Sequence, residues 1–402
     1  MRFEKNRKQY ILKNKDTSVL SFDYEKIIDK TTIGEFTSYK IKHIKILEPD
    51  LLPIGYPNTV DSSELKKWIE RRKIPKNRVN RERVLNFKIN SLKYELTNFM
   101  NYIDISYGLS LNDSYWIVPA NENLLWKDCN LYKNKFSDVI SLVAFGEKLP
   151  PNWDKENINL SPEYTTNGML VKCWTILNDE IHLLKKSSEY YKKEAFSEYY
   201  MSQIASIMNF EHINYDIVKY HNSIASACKL FTSEDIGFVP IYHTLKKRDL
   251  AKSGVEVLEK IYKIYEKDKL EDLMVFDSLI YNTDRHLGNF GILIDNNTGK
   301  ILKSAPIFDN GNSILSFFEE TTDLEKIENY YISRFDLTFD ILAKFFVRER
   351  HRKGLENLVN FKFKRHKEHN LSENLLELGE KFISKRAKTI LNILDKNLEK
   401  TT

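Results

Sequence analysis

Apolar residues recur at helical spacing in some stretches of the chain and alternate with polar ones in others, and the residues between these stretches mark where elements start and stop. Asp61-Ser62-Ser63-Glu64 puts a side-chain acceptor at a helix N-cap and answers it with Glu three residues later, a capping box. Leu65, Trp68 and Ile69 then fall on one helical face, and the helix should end before Pro75. Val84, Phe87, Leu92 and Leu96, set among charges, predict a second helix. The stretch from Ser110 to Trp116 reads as a loop entering a short strand, Trp116 to Val118, that Pro119 stops. The first ~150 residues are therefore expected to form a compact α+β unit.

Leu149-Pro150-Pro151-Asn152-Trp153 is the best linker, because two consecutive prolines continue neither a helix nor a central strand. Beyond it, Met169 to Leu177 and Ile181 to Ser187 are strand-like, and Asn178-Asp179-Glu180 between them is a hairpin signature. A helix from Glu194 to Met208 follows, then a short strand from Ser226 to Phe231. From Asp249 onward the pattern is mainly helical, with one further hairpin between Asn289 and Asp309. The expected domains are 1–152, 153–235 and 236–402.

Composition narrows the class. Of 402 residues, 42% are hydrophobic and 30% charged, while 13 Gly and 10 Pro are too few for a collagen-like or low-complexity chain. No fixed-period repeat and no run of ~18 apolar residues is present, so solenoids and membrane helices are not expected. Cys129, Cys173 and Cys228 form no C-x-x-C pair, and Met1 to Lys15 is charged with no apolar stretch for a signal peptide. Both point to a soluble chain in a reducing cytoplasm. The net charge is +5, yet Glu64 to Lys88 alone holds ten Lys/Arg against three Glu. Lys66, Lys67, Arg71, Arg72, Lys73, Lys76 and Arg78 around Trp68 make this segment a candidate surface for an acidic partner, protein or nucleic acid.

The chemistry concentrates in Asn282-Thr283-Asp284-Arg285-His286-Leu287-Gly288-Asn289-Phe290-Gly291, a Gly-containing turn after the apolar run Phe276 to Ile280. If the following hairpin turns about Gly299, Asn289 and Asp309 meet although 20 residues separate them. A carboxylate and an amide carbonyl are hard oxygen donors, suited to Mg²⁺ shared with nucleotide phosphates. Asp284, five residues before Asn289, has the spacing of a protein-kinase catalytic loop, where the Asp accepts the proton of the attacking hydroxyl.

Asn282-x-Asp284-Arg285-His286-x-x-Asn289-Phe290-Gly291 followed by Ile307-Phe308-Asp309-Asn310-Gly311 resembles the HipA-like serine/threonine kinases, a bacterial branch of the protein-kinase-like fold. The resemblance covers roughly residues 160 to 400. It implies an α+β, bilobal kinase-like unit with a helical C-terminal lobe behind a small N-terminal α+β domain, and ATP with Mg²⁺ as cofactors. Asp284 is then the catalytic base, with Asn289 and Asp309 as metal ligands. Lys185, which shares a strand face with Ile181 and Leu183, is the expected partner of the α- and β-phosphates. Glu198 matches its helical partner, with Glu194, one turn earlier, as rival. Cys228 to Phe231 is the expected adenine-binding hinge, and Thr166, Asn167 and Gly168 the phosphate-covering loop.

That loop has a single glycine, and Asp309 opens Asp-Asn-Gly instead of Asp-Phe-Gly; both are compatible with the HipA-like branch. In that family a loop hydroxyl can be autophosphorylated, and Ser161, Thr165 and Thr166 are the hydroxyls available. The resemblance also raises a toxin role with a DNA-binding antitoxin partner. Two other readings remain on the same fold: transfer of AMP or phosphorylation of a small molecule, and a pseudokinase scaffold whose N-terminal domain binds nucleic acid.

Overall fold

A computed structural model of the protein describes residues 3–56, 60–89, 100–149, 160–190, 192–252, 254–327 and 330–400. The chain divides into two compact units. The first comprises Met1–Thr175 with Thr232–Phe238 and Ile294–Ile301, the second Ile176–Phe231, Val239–Leu293 and Leu302–Thr402. The expected linker at 150–153 lies outside the described residues, as do Leu92 and Leu96 of the second predicted helix.

The first unit is organised on an antiparallel sheet in which the sequence reading places only the strand at Trp116 to Val118. Strands β1 (Phe3–Asn14), β2 (Thr17–Thr31) and β3 (Gly34–Ile46) form a meander, and β4 (Tyr115–Pro119) closes its other side in the order β3-β2-β1-β4. Tyr10 and Leu12 face Phe22 and Leu20 across the register and are buried with Tyr24. This is the alternation expected of a half-buried strand, although the charges of the first fifteen residues obscure it. The capping box forms as predicted: Asp61 accepts from the Glu64 N–H, Glu64 accepts from the Asp61 N–H, and the helix Ser62–Arg71 buries Leu65 and Ile69.

The two late segments of this unit are tied in by a buried polar seam. Asn14 donates to the Asn296 carbonyl at 2.7 Å and accepts from Ser114, while the Phe238 N–H donates to the Asn112 carbonyl at 2.6 Å. A polar group at Asn14 can be buried because both ends of its amide are satisfied.

The chain passes toward the second unit through β5 (Lys172–Leu177), and β6 (Glu180–Lys186) follows after a two-residue turn. Asn178 and Asp179 both have positive φ, 51° and 62°, as a type I′ hairpin requires. The helix Glu194–Ile207 comes next, then β7 (Tyr215–Tyr220) and β8 (Ser223–Lys229), with β8 lying antiparallel between β6 and β7.

After β9 (Ile236–Pro240), most of the second unit is helical. The helix Lys267–Ile280 is buried along most of its length and ends at Tyr281, in the left-handed region at φ 51°. The chain then makes the polar turn and the hairpin of β10 (Gly291–Asp295) and β11 (Ile301–Ser304). The 27-residue helix Glu373–Glu399, capped by Ser372, buries Leu376, Gly379, Ile383, Ala387, Ile390 and Leu394, a stripe at 3- and 4-residue spacing. Among the described residues no helix is long and apolar enough to cross a membrane.

Candidate active site

The hairpin pairs in a different register from the one the sequence suggests. The Ala305 N–H donates to the Gly291 carbonyl at 2.8 Å, a register two residues off the one that would set Asn289 opposite Asp309. What joins the two segments is Arg285. Its guanidinium donates to the Asn289 carbonyl at 3.0 Å, to the Phe308 carbonyl, and to Asn310 Oδ1 at 2.7 Å. Its remaining N–H groups reach Asp277 on the preceding helix, Nε to Oδ2 and Nη2 to Oδ1, both at 3.0 Å. Arg285 and Asp277 are both fully buried, so a neutralised cation ties the loop from Asn282 to Asn289, the hairpin exit and the preceding helix together. The sequence reading assigns Arg285 no role, yet Asp277, a carboxylate inside an apolar helical run, is a visible sign of a buried ionic partner.

The loop itself is held by its own amides. Asn282 Oδ1 accepts from the Asp284 N–H at 3.0 Å, and Asn289 Nδ2 donates to the Asp284 carbonyl at 2.9 Å. The second bond fixes the amide so that Asn289 Oδ1 is left as an oxygen donor. His286 is exposed and accepts from the Gly288 N–H at 3.0 Å, a loop-bracing role. Asp284 is half-buried, and burial pushes its carboxyl above the usual range. His286, Arg334 and Arg285 pull it back, while the charge of Asp309 adds to the rise.

Lys185 projects from β6 and is buried, with Nζ 2.9 Å from Glu198 Oε1 and 2.8 Å from Asp309 Oδ1. Burial alone disfavours the ammonium, but the carboxylates of Asp309 and Glu198 outweigh it and hold its pKa well above the ordinary lysine value. Glu198 also accepts from the Asn310 N–H at 2.9 Å, so the helix Glu194–Ile207 grips both the lysine and the Asp309-Asn310-Gly311 turn. The rival Glu194 accepts instead from the Ser188 and Lys193 N–H groups and serves the start of its own helix. A Cβ at Gly311 would come 3.2 Å from the Glu194 carbonyl and 3.4 Å from Glu198 Cγ, which explains why a glycine follows Asp309-Asn310.

Among the expected hinge residues, Cys228 is half-buried in β8 opposite Leu183 and Tyr215, and Phe231 packs on Phe308 with ring centroids 5.4 Å apart. The strand ends at Lys229, two residues short of the predicted limit. Thr166, Asn167 and Gly168 belong to the first unit. Thr166 accepts from Trp174 Nε1 at 2.9 Å and donates to the Pro162 carbonyl at 2.7 Å, and Gly168 has φ 94°. Ser161 and Thr165 are buried.

The donor set fits a magnesium ion in chemistry. Asp309, whose side chain is 36% exposed, and Asn289 Oδ1 supply two hard oxygens, leaving further positions for phosphate oxygens and water. Among the described residues no group of three or more His, Cys, Asp or Glu could hold a metal without such help.

No family model matches the chain. The serine/threonine-protein kinase CtkA of Helicobacter pylori (strain J99) is 29% identical over 156 residues, which are 34% of this chain and 48% of that protein. The chain thus spans about half the length of this curated relative. A crystal structure of a Helicobacter pylori proinflammatory kinase CtkA aligns with 59% of this chain and 94% of its own, at 20% identity and a TM-score of 0.49. HipA of Shewanella oneidensis MR-1, solved with HipB and operator DNA, covers 96% of this chain and 99% of its own, at 12% identity and a TM-score of 0.55. That match extends the shared fold beyond residues 160 to 400, into the N-terminal part where the sequence shows no resemblance. The chain thus has a HipA-like, kinase-like fold, and it shares a stretch of sequence with a serine/threonine-protein kinase.

Proposed function

We propose that the protein is an ATP- and Mg²⁺-dependent serine/threonine kinase. The observation that carries this reading is the buried Lys185 ammonium held between Glu198 and Asp309, on the same unit as Asp284 and Asn289. A lysine fixed by one carboxylate and shared with a second can turn to phosphate oxygens while Asp309 is released toward a metal. Asn289 and Asp309 are the residues to hold that ion, which supplies charge neutralisation for the phosphates when bound. Asp284, its pKa raised by burial, is placed to take the acceptor hydroxyl's proton as the oxygen bonds to the γ-phosphorus. The bond from that phosphorus to the bridging oxygen breaks, and ADP leaves with its electron pair. Positioning and fixed charge supply most of the rate.

Of the three loop hydroxyls, Thr166 alone has partial solvent access and is the one we assign to autophosphorylation. For the basic segment, Arg72 and Arg78 are buried and ion-paired, so an acidic partner would meet the exposed Lys66, Lys67, Arg71 and Lys76. HipA's assembly with HipB and DNA makes an antitoxin or nucleic acid a partner to test there.

The test is to incubate the purified protein and its Asp284→Asn variant with Mg²⁺-ATP and to read intact masses and peptide maps. A phosphoryl adduct on the wild type alone, on Thr166 or on an added protein acceptor, supports the reading. An AMP adduct replaces it with nucleotidyl transfer, and absence of any phosphoryl product across protein acceptors removes it.

A further inference from the structure

Asp309 adopts a backbone conformation that residues with a Cβ take uncommonly, although Asp takes it more readily than most. Its φ is 58°, in the left-handed region, which costs a residue with a Cβ of order 1 kcal/mol or more unless neighbours enforce it. Its flanks are held by groups already described: Arg285 binds the Phe308 carbonyl, and Glu198 binds the Asn310 N–H. The N–H of Asp309 itself donates to the hydroxyl of Tyr215 at 3.0 Å. Tyr215 is buried as the first residue of β7, opposite Cys228 of β8, so its ring is fixed by the sheet.

The approach of the two segments is in register along its length. The Ile307 N–H donates to the Glu211 carbonyl and the Ile213 N–H to the Ile307 carbonyl, both at 2.8 Å, and the Tyr215 hydroxyl makes the next rung at Asp309. The side chain substitutes for a backbone rung at the point where the left-handed turn carries the chain away from a strand path. The hydroxyl oxygen of Tyr215 is the acceptor in this bond.

We infer that Tyr215 is a positioning residue for metal-dependent nucleotide binding, acting through the backbone of Asp309 to hold its carboxylate where a divalent ion is shared with Asn289. The inference rests on the kinase reading above. Phenylalanine at this position keeps the ring and removes only the acceptor, which leaves the Asp309 N–H without it and relaxes the left-handed turn.

The experiment titrates ADP into the protein by calorimetry at stepped Mg²⁺ concentrations, for wild type, Tyr215→Phe, Asp309→Asn and the double variant, with thermal unfolding of each. The expected result is that Tyr215→Phe raises the Mg²⁺ concentration for half-maximal tightening of ADP by about tenfold, with metal-free ADP affinity unchanged. In the Asp309→Asn background the same substitution has no further effect on Mg²⁺ dependence, because the group it positions is gone. An unchanged Mg²⁺ dependence in Tyr215→Phe overturns the inference and leaves the kinase reading standing. So does an additive loss in the double variant, or a loss of metal-free binding in proportion to a lowered unfolding temperature. If the wild type shows no Mg²⁺-dependent nucleotide binding, the kinase reading fails and the role of Tyr215 fails with it.

Discussion

Arg285 and Asp277 form an ion pair with both side chains fully buried, and the remaining guanidinium N–H groups go to Asn289, Phe308 and Asn310. Such a pair adds little net stability over an apolar core, but removing one partner strands the other's charge. Asp277→Ala should therefore destabilise the second unit by about 3–5 kcal/mol in chemical denaturation. Asp277→Asn, which keeps an acceptor, should lose less. Equal small losses for both would show that water or a neighbour compensates Arg285.

The turn at Asn178-Asp179, the helix Glu194–Ile207 and the Asp61 capping box were legible because each depends on residues next to one another in sequence. Lys185, Glu198 and Asp309 were legible as members of a pattern, and the structure brings them together. The Gly299-centred register failed because a strand pair with no short Asn-Gly turn does not announce its slip; Arg285, reaching three partners in the loop and hairpin and Asp277 on the preceding helix, fixes the geometry instead. Strands β1 to β3 were missed for a different reason. Arg7, Lys26, Lys40 and Lys42 stand among their apolar positions, and the buried alternation of Leu20, Phe22 and Tyr24 is short against that charge. Arg72 and Arg78 looked like surface charge because their partners, Asp113 and Glu163, lie far along the chain.

Asp309 and Asp284 should separate metal binding from turnover. Asp309→Asn removes the carboxylate that Lys185 contacts and should abolish Mg²⁺-dependent tightening of nucleotide. Asp284→Asn should keep nucleotide affinity and lower turnover by roughly 10²–10⁴, about 3–5 kcal/mol. Parallel calorimetry and phosphoryl-transfer assays check this, and an equal loss of ATP affinity in both variants would refute the division of roles.

The pH profile of turnover should report Asp284. A general base works only when ionised, so activity is present above its pKa and is lost as pH falls through it. Burial raises that pKa, which places the acidic limb above the ordinary carboxylate range. Arg334 is exposed and lowers the pKa through its charge, so Arg334→Gln should move the limb to higher pH, and high salt should shrink the difference. A limb that stays in place on substitution would mean that Arg334 does not act on the ionisation that limits the rate.

In the first unit, Arg78 is a clasp for the segment around Gly168. Its guanidinium meets Glu163 Oε2 at 3.1 Å and donates to the carbonyls of Thr166, at 3.0 Å, and Lys172, at 2.6 Å. Glu163 in turn accepts from the Trp174 N–H at 2.6 Å, so one buried ion pair closes both ends of a seven-residue stretch, Thr166 to Lys172. Burial pushes the Glu163 carboxyl up to about 7, against the pull of Arg78 and the Trp174 N–H. Arg78→Met removes that pull and leaves the carboxylate stranded, which should cost about 3–5 kcal/mol near neutral pH and expose the stretch to limited proteolysis. Because the folded-state pKa then lies further above the unfolded value, the folded protein takes up a proton that the unfolded chain does not. The deficit should accordingly shrink as pH is lowered from about 8 to about 5. Arg78→Met with Glu163→Gln should recover most of the stability and remove the pH dependence of the deficit, while proteolysis within Thr166 to Lys172 persists, because the bonds to both carbonyls came from Arg78. Denaturation curves of the three variants across that range check the argument, and a deficit that is constant with pH would show that the lost hydrogen bonds, and not the buried carboxylate, carry the cost.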